Sequence, residues 1–244
     1  MNYHKYVLSL WEYLLYGLIY IVVNGIISYL FFMSIIPFIC FMPGLYLFYK
    51  YLGKALKARR DKILTVQFKE YISIISSLLS TGYSLENSIL ESIKELHSLY
   101  PESYMEKEAK IMAGKIMLHS PPDLLFKDLA ERTDIDHIKN FSEILSIASK
   151  SGGNLIDIIL STTSSIRMQI NIQREIDTAL AGKKYEFLIM SIMPIIIMFY
   201  IKFSQPGFFD SVYGNLLGAL LMFICLCFYM FAIYLSYKIL SKIQ

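Results

Sequence analysis

Two long apolar regions flank a middle region whose apolar residues recur with the period of a helix. No charged residue occurs between positions 13 and 49, and uncharged stretches also run from 187 to 201 and from 211 to 237. At 1.5 Å per residue, the first region is long enough to cross a bilayer twice, with a short second pass. The pattern predicts two transmembrane hairpins with tips near Ser34 and Gly207.

The positions of the basic residues predict how these hairpins are oriented. They follow the first hairpin at Lys50, Lys54, Lys57, Arg59, Arg60 and Lys62, and they flank the second at Lys183, Lys184, Lys238 and Lys242. Since Lys and Arg favour the cytoplasmic side of a span, both termini and the middle region are expected in the cytoplasm. We interpret the first apolar stretch as a retained span rather than a cleaved signal, and the chain as a multi-pass protein of the plasma (inner) membrane.

Turn residues divide the middle region into six predicted helices. Gly82 ends the first and Ser84 caps the second, the third covers about 103–118, and Pro122 opens a short fourth. Thr133 with Asp136 resembles a capping box at the start of the fifth helix. No strand-like alternation appears, so the region is predicted to be all-α.

The sixth helix follows the turn at Gly152, Gly153 and Asn154, and is expected to continue into the third membrane span. This turn matches the one at Gly82 at a constant offset. The matched residues are Ile74, Gly82, Ser84, Leu85, Ile89 and Leu90 with Ile144, Gly152, Asn154, Leu155, Ile159 and Leu160. The match predicts a six-helix bundle of two similar three-helix units.

These features define four predicted segments. They are an N-terminal membrane hairpin (1–49), a basic juxtamembrane linker (50–62), a cytoplasmic helical domain (63–182) and a C-terminal membrane hairpin with a short tail (183–244). A hydrophobic content of 55% and a mean hydropathy of +0.48 agree with extensive lipid contact. The net charge of +3 provides no basic face for nucleic acid.

No catalytic, cofactor or metal motif is present. The Gly-Lys pairs lack the upstream glycine and the following Ser or Thr of a phosphate-binding loop, and the histidines and cysteines do not cluster at ligand spacing. We therefore predict a non-enzymatic protein without cofactor or metal, in which any ATP hydrolysis must come from another chain. The alternatives are a permease-like subunit of an ATP-driven exporter, or a membrane-bound enzyme with an unrecognised site.

Three sequence features together resemble the F-domain family of type II secretion systems. They are the Leu-Ser-Thr-Gly-Tyr-Ser-Leu stretch at 79–85, the Ala-Ser-Lys-Ser-Gly-Gly-Asn-Leu stretch at 148–155, and the apolar run through Pro194 to Pro206. Because the chain has room for one cytoplasmic F-type domain, it resembles the tight-adherence (Flp pilus) branch, protein B or C. The resemblance implies a platform that couples a hexameric secretion ATPase to pilin extraction, in a homo- or hetero-oligomer that can include a paralogous platform protein.

The expected docking surface lies on exposed turns of the helical domain. Candidate partner contacts are Tyr83 in the first glycine turn, and Lys127, Asp128 and Arg132 in the segment connecting the fourth and fifth helices. In the last span, Gly214 and Gly218 form a Gly-x-x-x-Gly pair that permits close helix packing or self-association.

Overall fold

The computed structural model describes residues 3, 8–151, 155–205, 207–213 and 215–242, and every regular element in these ranges is an α-helix. The helices are α1 (Leu10–Phe32), α2 (Ile36–Phe41), α3 (Gly44–Ser80), α4 (Leu85–Leu99), α5 (Tyr104–Met117), α6 (Pro122–Thr133), α7 (Asp136–Ser151), α8 (Leu155–Ser204), α9 (Asp210–Tyr213) and α10 (Leu216–Lys242). The prediction of an all-α protein is confirmed. So is the prediction that the helix beginning after position 154 runs on into an apolar span.

The chain separates into two compact units. We call residues 1–7 and 52–173 the helical unit, and residues 8–51 and 174–244 the apolar unit. Helices α3 and α8 each contribute residues to both units.

An aromatic cluster lies at the centre of the helical unit. Phe141 of α7 packs edge-on against Phe68 of α3 and Phe126 of α6, with ring centroids 5.7 and 4.9 Å away, and Tyr71 lies 6.3 Å from Phe126. All four side chains are buried. Burying side chains of this size supplies a large part of the free energy that holds helices together.

The apolar faces predicted from helical spacing point into this core. On α3, Leu64, Phe68, Ile72, Ile75 and Leu79 are buried, and on α7 the same holds for Ile138, Phe141, Leu145 and Ala148. A single interior face on each helix explains why the residues that share it recur every three or four positions.

The predicted capping box at the start of α7 is wrong. Thr133 is the last residue of α6, and its hydroxyl donates back to the Leu129 carbonyl at 2.8 Å instead of accepting from α7. Asp134, with a φ of +57°, ends α6, and α7 begins at Asp136. A threonine hydroxyl inside a helix can donate to the main-chain carbonyl one turn earlier, and this hydrogen bond competes with a capping role.

The predicted repeat relates two helix pairs. At its constant sequence offset, α3 corresponds to α7 and α4 corresponds to α8, and α5 and α6 lie between these two pairs along the chain. Ile89 and Ile159 are both buried, whereas Ile74 is buried and Ile144 is exposed. The two three-helix units of the sequence interpretation remain a prediction.

Among the described residues, three helices are long and apolar enough to cross a membrane: α1, the apolar part of α8, and residues Leu217–Ser236 of α10. The predicted second span, near 34–49, contains the six-residue α2 and the first residues of α3, and it is not among these three. Most large apolar side chains of the apolar unit are exposed, as expected for surfaces that face lipid.

Polar side chains in the apolar unit satisfy main-chain carbonyls. The side-chain amide of Asn24 in α1 donates to the Phe38 carbonyl of α2 at 3.2 Å. The ammonium group of Lys202 donates to the Tyr29 carbonyl at 2.7 Å and lies 3.5 Å from the centre of the Tyr29 ring. Lys202 thereby provides a donor for the end of α1, where helix carbonyls lack intrahelical partners.

Candidate partner-binding surface

The turn between α3 and α4 has the geometry that a glycine permits. Gly82 has a φ of +96°, and its N–H donates to the Leu79 carbonyl while the Tyr83 N–H donates to the Leu78 carbonyl. These two bonds form a Schellman motif, which satisfies the last carbonyls of α3. Ser84 then accepts from the Asn87 N–H at 3.3 Å and begins α4. Tyr83 is thus presented at the end of the helical unit.

Three separate parts of the chain meet at this end and line one open groove. Tyr83 and Ser84 come from the α3–α4 turn, Pro122 and Asp123 from the start of α6, and Leu155 and Ile156 from the start of α8. We call these six residues the turn surface. Local sequence identifies each turn, but only the packing of the helical unit places the turns together.

The turn surface exposes large apolar side chains. Tyr83 is 47% exposed and Ile156 39%. In the sequence next to the α6 residues, Leu118 is 81% exposed and Leu124 55%. Tyr83 and Ile156 line the same groove, and grouped exposure of large apolar side chains is characteristic of a protein-binding surface.

Acidic residues accompany these apolar groups. Glu86, Asp123 and Asp157 occupy the first turns of α4, α6 and α8. Carboxylates at these positions are stabilised by the helix macrodipole, which accounts for their presence without any partner. The combination of acidic and apolar groups nevertheless favours a partner with a basic and apolar face.

The candidate contacts Lys127, Asp128 and Arg132 lie on helix α6, so the expectation that they occupy a connecting loop is wrong. Lys127 is exposed beside a shallow cavity between α6 and α7. Asp128 accepts from Lys115 at 3.0 Å and lies 3.2 Å from Arg132. Partial burial opposes ionisation, but these two cations lower the pKa of Asp128 below its ordinary value. Asp128 therefore has partners within the chain.

Arg132 forms a buried ion pair that the sequence interpretation missed. Its guanidinium donates to both carboxylate oxygens of Glu108, which is fully buried on α5. The hydrogen bonds and charge of Glu108 raise the pKa of Arg132. The available signal was spacing, because Glu108 falls between Met105 and Met112 on the buried face of α5. Arg132 is thus a structural residue of the helical unit.

Of the remaining predicted turn and helix-packing residues, the structure describes only Gly218. Gly152, Gly153, Asn154 and Gly214 lie outside the described residues. Gly218 packs tightly against α9, since a Cβ added there would lie 2.0 Å from the Val212 carbonyl oxygen. Its lack of a side chain therefore serves the contact between α9 and α10.

Within the described residues every regular element is a helix, and three of these helices are long and apolar enough to cross a membrane, which defines the class of a helical membrane protein. The family model of type II secretion system (T2SS) protein F matches residues 71–201, more than half of the chain. The chain belongs to this family of secretion- and pilus-type membrane platform proteins. Family members are structural platforms rather than enzymes, and they work with ATPases and other platform proteins.

Two further comparisons gave no match. Neither the curated proteins nor the solved structures contain a chain that matches this one.

Proposed function

We propose that this protein is a platform subunit of a type IV-like, tight-adherence (Flp) pilus assembly or type II secretion machine. It couples a cytoplasmic hexameric ATPase to extraction of pilin from the membrane. In this proposal the helical unit receives the ATPase, and two membrane hairpins contact pilin and a paralogous platform protein. The domain boundaries are those of the four sequence segments, 1–49, 50–62, 63–182 and 183–244.

The observation that supports this proposal best is the turn surface. Tyr83 and Ile156 are exposed apolar residues from distant parts of the chain, grouped in one groove beside acidic residues. Such a surface can bind a protein partner. Docking through this surface requires no catalytic or metal site in this chain.

Helix α8 provides a direct covalent route from the turn surface to the membrane. It begins at Leu155, beside Ile156, and continues without a break to Ser204, past Pro194 inside an apolar window. A displacement of the first turn of α8 is carried by the helix that crosses the bilayer. This continuity favours a coupling role over that of a passive anchor.

The proposed topology places both termini and the helical unit in the cytoplasm. A cysteine substituted for Asp210, in a background lacking Cys40, Cys225 and Cys227, should react with an impermeant maleimide in intact cells. Labelling only after the membrane is broken would contradict this topology.

Docking is tested by polar substitutions that leave the core intact. Tyr83→Ser combined with Ile156→Ser should abolish co-purification with the cognate secretion ATPase and stop pilus assembly or secretion. Leu99→Ser is the matched control, because Leu99 is 54% exposed at the other end of α4. Membrane insertion and the melting temperature (Tm) should change little in either protein.

Wild-type ATPase binding by the double variant would exclude the turn surface as the interface. Failure of the unaltered protein to bind any secretion ATPase would exclude the platform function. Solute transport in reconstituted vesicles would instead favour the permease-like alternative.

A further inference from the structure

The side chain of Tyr3 is buried in the helical unit although Tyr3 precedes helix α1. It is 2% exposed and belongs to no helix. Its ring lies edge-on to the Tyr104 ring, 6.4 Å away between centroids, and the Arg60 guanidinium lies 5.2 Å from its centre. A tyrosine far from the helical unit in sequence therefore fills a pocket between helices α3 and α5.

Each polar group of Tyr3 has a partner in this pocket. The hydroxyl donates to Glu108 Oε1 at 2.9 Å, the main-chain N–H donates to the Arg132 carbonyl at 3.1 Å, and the main-chain carbonyl accepts from Arg60 Nη2. Three helices, α3, α5 and α6, thus bind one residue at three points. A non-specific hydrophobic contact would not require this set of donors and acceptors.

The pocket matches the chemistry of tyrosine. Glu108 is fully buried, and the two hydrogen bonds from Arg132 leave room for a third donor, which the Tyr3 hydroxyl supplies. A buried carboxylate needs both an opposite charge and hydrogen-bond donors. The Tyr3 hydroxyl is therefore the third donor to this carboxylate, and burial together with the neighbouring Glu108 raises the pKa of Tyr3.

We propose that Tyr3 is an intramolecular anchor, and that Arg60, Tyr104, Glu108 and Arg132 form a specific pocket for this tyrosine of the same chain. Docking attaches the chain that leads into the first membrane helix to the helical unit. One consequence rests on the proposed platform function: an ATPase that moves the helical unit must either move this chain with it or release Tyr3. The docking itself does not depend on that function.

Photocross-linking in the full chain tests the anchor directly. p-Azidophenylalanine, close to tyrosine in size, is incorporated at position 3, and the protein is irradiated in lipid nanodiscs. Digestion and mass spectrometry should find cross-links to peptides containing Tyr104, Glu108 or Arg132. Incorporation at position 83, where Tyr83 is exposed, is the matched control and should give no cross-link to these peptides.

Isotope labelling separates the possible occupants of the pocket. In a mixture of heavy and light chains, a cis anchor gives cross-links only within chains of the same isotope. Heavy–light cross-links would show that a second copy supplies Tyr3 and would overturn the proposal, as would cross-links to unrelated peptides or none at all. No ATPase is present, so this result is independent of the platform function.

A second measurement isolates the hydroxyl group. Tyr3→Phe retains the ring and removes the hydrogen bond to Glu108, so its Tm should fall below that of the unaltered protein. Tyr83→Phe is the control and should leave the Tm unchanged. An unchanged Tm in Tyr3→Phe would contradict the assigned contact with Glu108.

Discussion

Arg132 and Glu108 form a two-point ion pair in the interior of the helical unit. Arg132 Nη1 lies 2.9 Å from Glu108 Oε1, and Nη2 lies 2.7 Å from Oε2. Glu108 is fully buried, while the Arg132 side chain is 22% exposed. The pair joins α5 to α6 and also contacts Tyr3, so a residue that resembles a surface charge in the sequence is part of the core.

Removal of Arg132 should destabilise the helical unit strongly. Arg132→Ala leaves the Glu108 carboxylate buried without its cation, a change that costs roughly 3–5 kcal/mol in comparable buried pairs. Urea denaturation of the detergent-solubilised protein measures the change. Lys127→Glu, at an exposed position of the same helix, should stay within about 0.5 kcal/mol. Equal effects of the two substitutions would contradict the assignment of Arg132 to the core.

Gly82 should be sensitive to substitution for a conformational reason. Its φ of +96° disfavours any side chain, although no atom lies within 4 Å of an added Cβ. Gly82→Val should therefore cost about 1–2 kcal/mol and lower the Tm. Gly114→Ala is the control, because Gly114 has equal space inside α5 without a positive φ, and alanine there should stabilise the helix by about 0.5–1 kcal/mol. The same sign of change in both variants would exclude strain at Gly82.

Glu106 should make stability depend on acidic pH. Its buried carboxylate lies 2.5 Å from Lys110 Nζ and 2.8 Å from His97 Nδ1. The hydrogen bond from Lys110, helped by His97 and opposed by burial, lowers the pKa of Glu106 from 4.5 to about 2. Because the folded pKa is the lower one, Glu106 stabilises the fold fully above pH 4.5, and this contribution is lost as the pH falls towards 2.

Thermal denaturation at several pH values, with Glu106→Gln as the comparison, measures this effect. The difference in Tm between the two proteins should be largest near neutral pH and should shrink between pH 4.5 and 2. A difference that is constant over this range would show that ionisation of Glu106 does not contribute.

Gly218 should be intolerant of even a small side chain. The Cβ of Gly218→Ala would lie 2.0 Å from the Val212 carbonyl oxygen, so α9 and α10 must move apart and the Tm should fall. Gly53→Ala, in an open position of α3, should not lower the Tm. If Gly218→Ala instead left the Tm unchanged and weakened self-association in a membrane two-hybrid assay, the Gly-x-x-x-Gly interpretation would be preferred.

Local sequence predicted the parts of this protein that depend on neighbouring residues. The starts of α4 and α5 lie where they were predicted, at Ser84 and Ser103, whose side chains accept from the first turns of these helices. The positive φ of Gly82 agrees with its predicted place at the end of α3. The buried faces of α3 and α7 follow from helical spacing. Such features require only contacts within a few positions along the chain, where spacing and residue type carry the information.

The boundary between α6 and α7 was mispredicted because two different local hydrogen-bonding arrangements fit the same residues. Thr133 and Asp136 have the spacing of a capping box, yet the Thr133 hydroxyl bonds inside α6. Both arrangements use only neighbouring residues, and in the fold the fully buried Thr133 is the last residue of α6.

By itself, the sequence determined the all-α class, the three apolar spans found in the described residues, the turn at Gly82 and the family resemblance, because hydrophobic periodicity and turn residues act locally. Only the tertiary structure decided which charges are free and which are buried. Arg132 pairs with Glu108, 24 positions away, and Tyr3 reaches Glu108 across 105 positions. The same holds for the turn surface, where Tyr83 and Ile156 line one groove. These relationships depend on how helices pack across long sequence separations, and no spacing rule within a single chain encodes that packing.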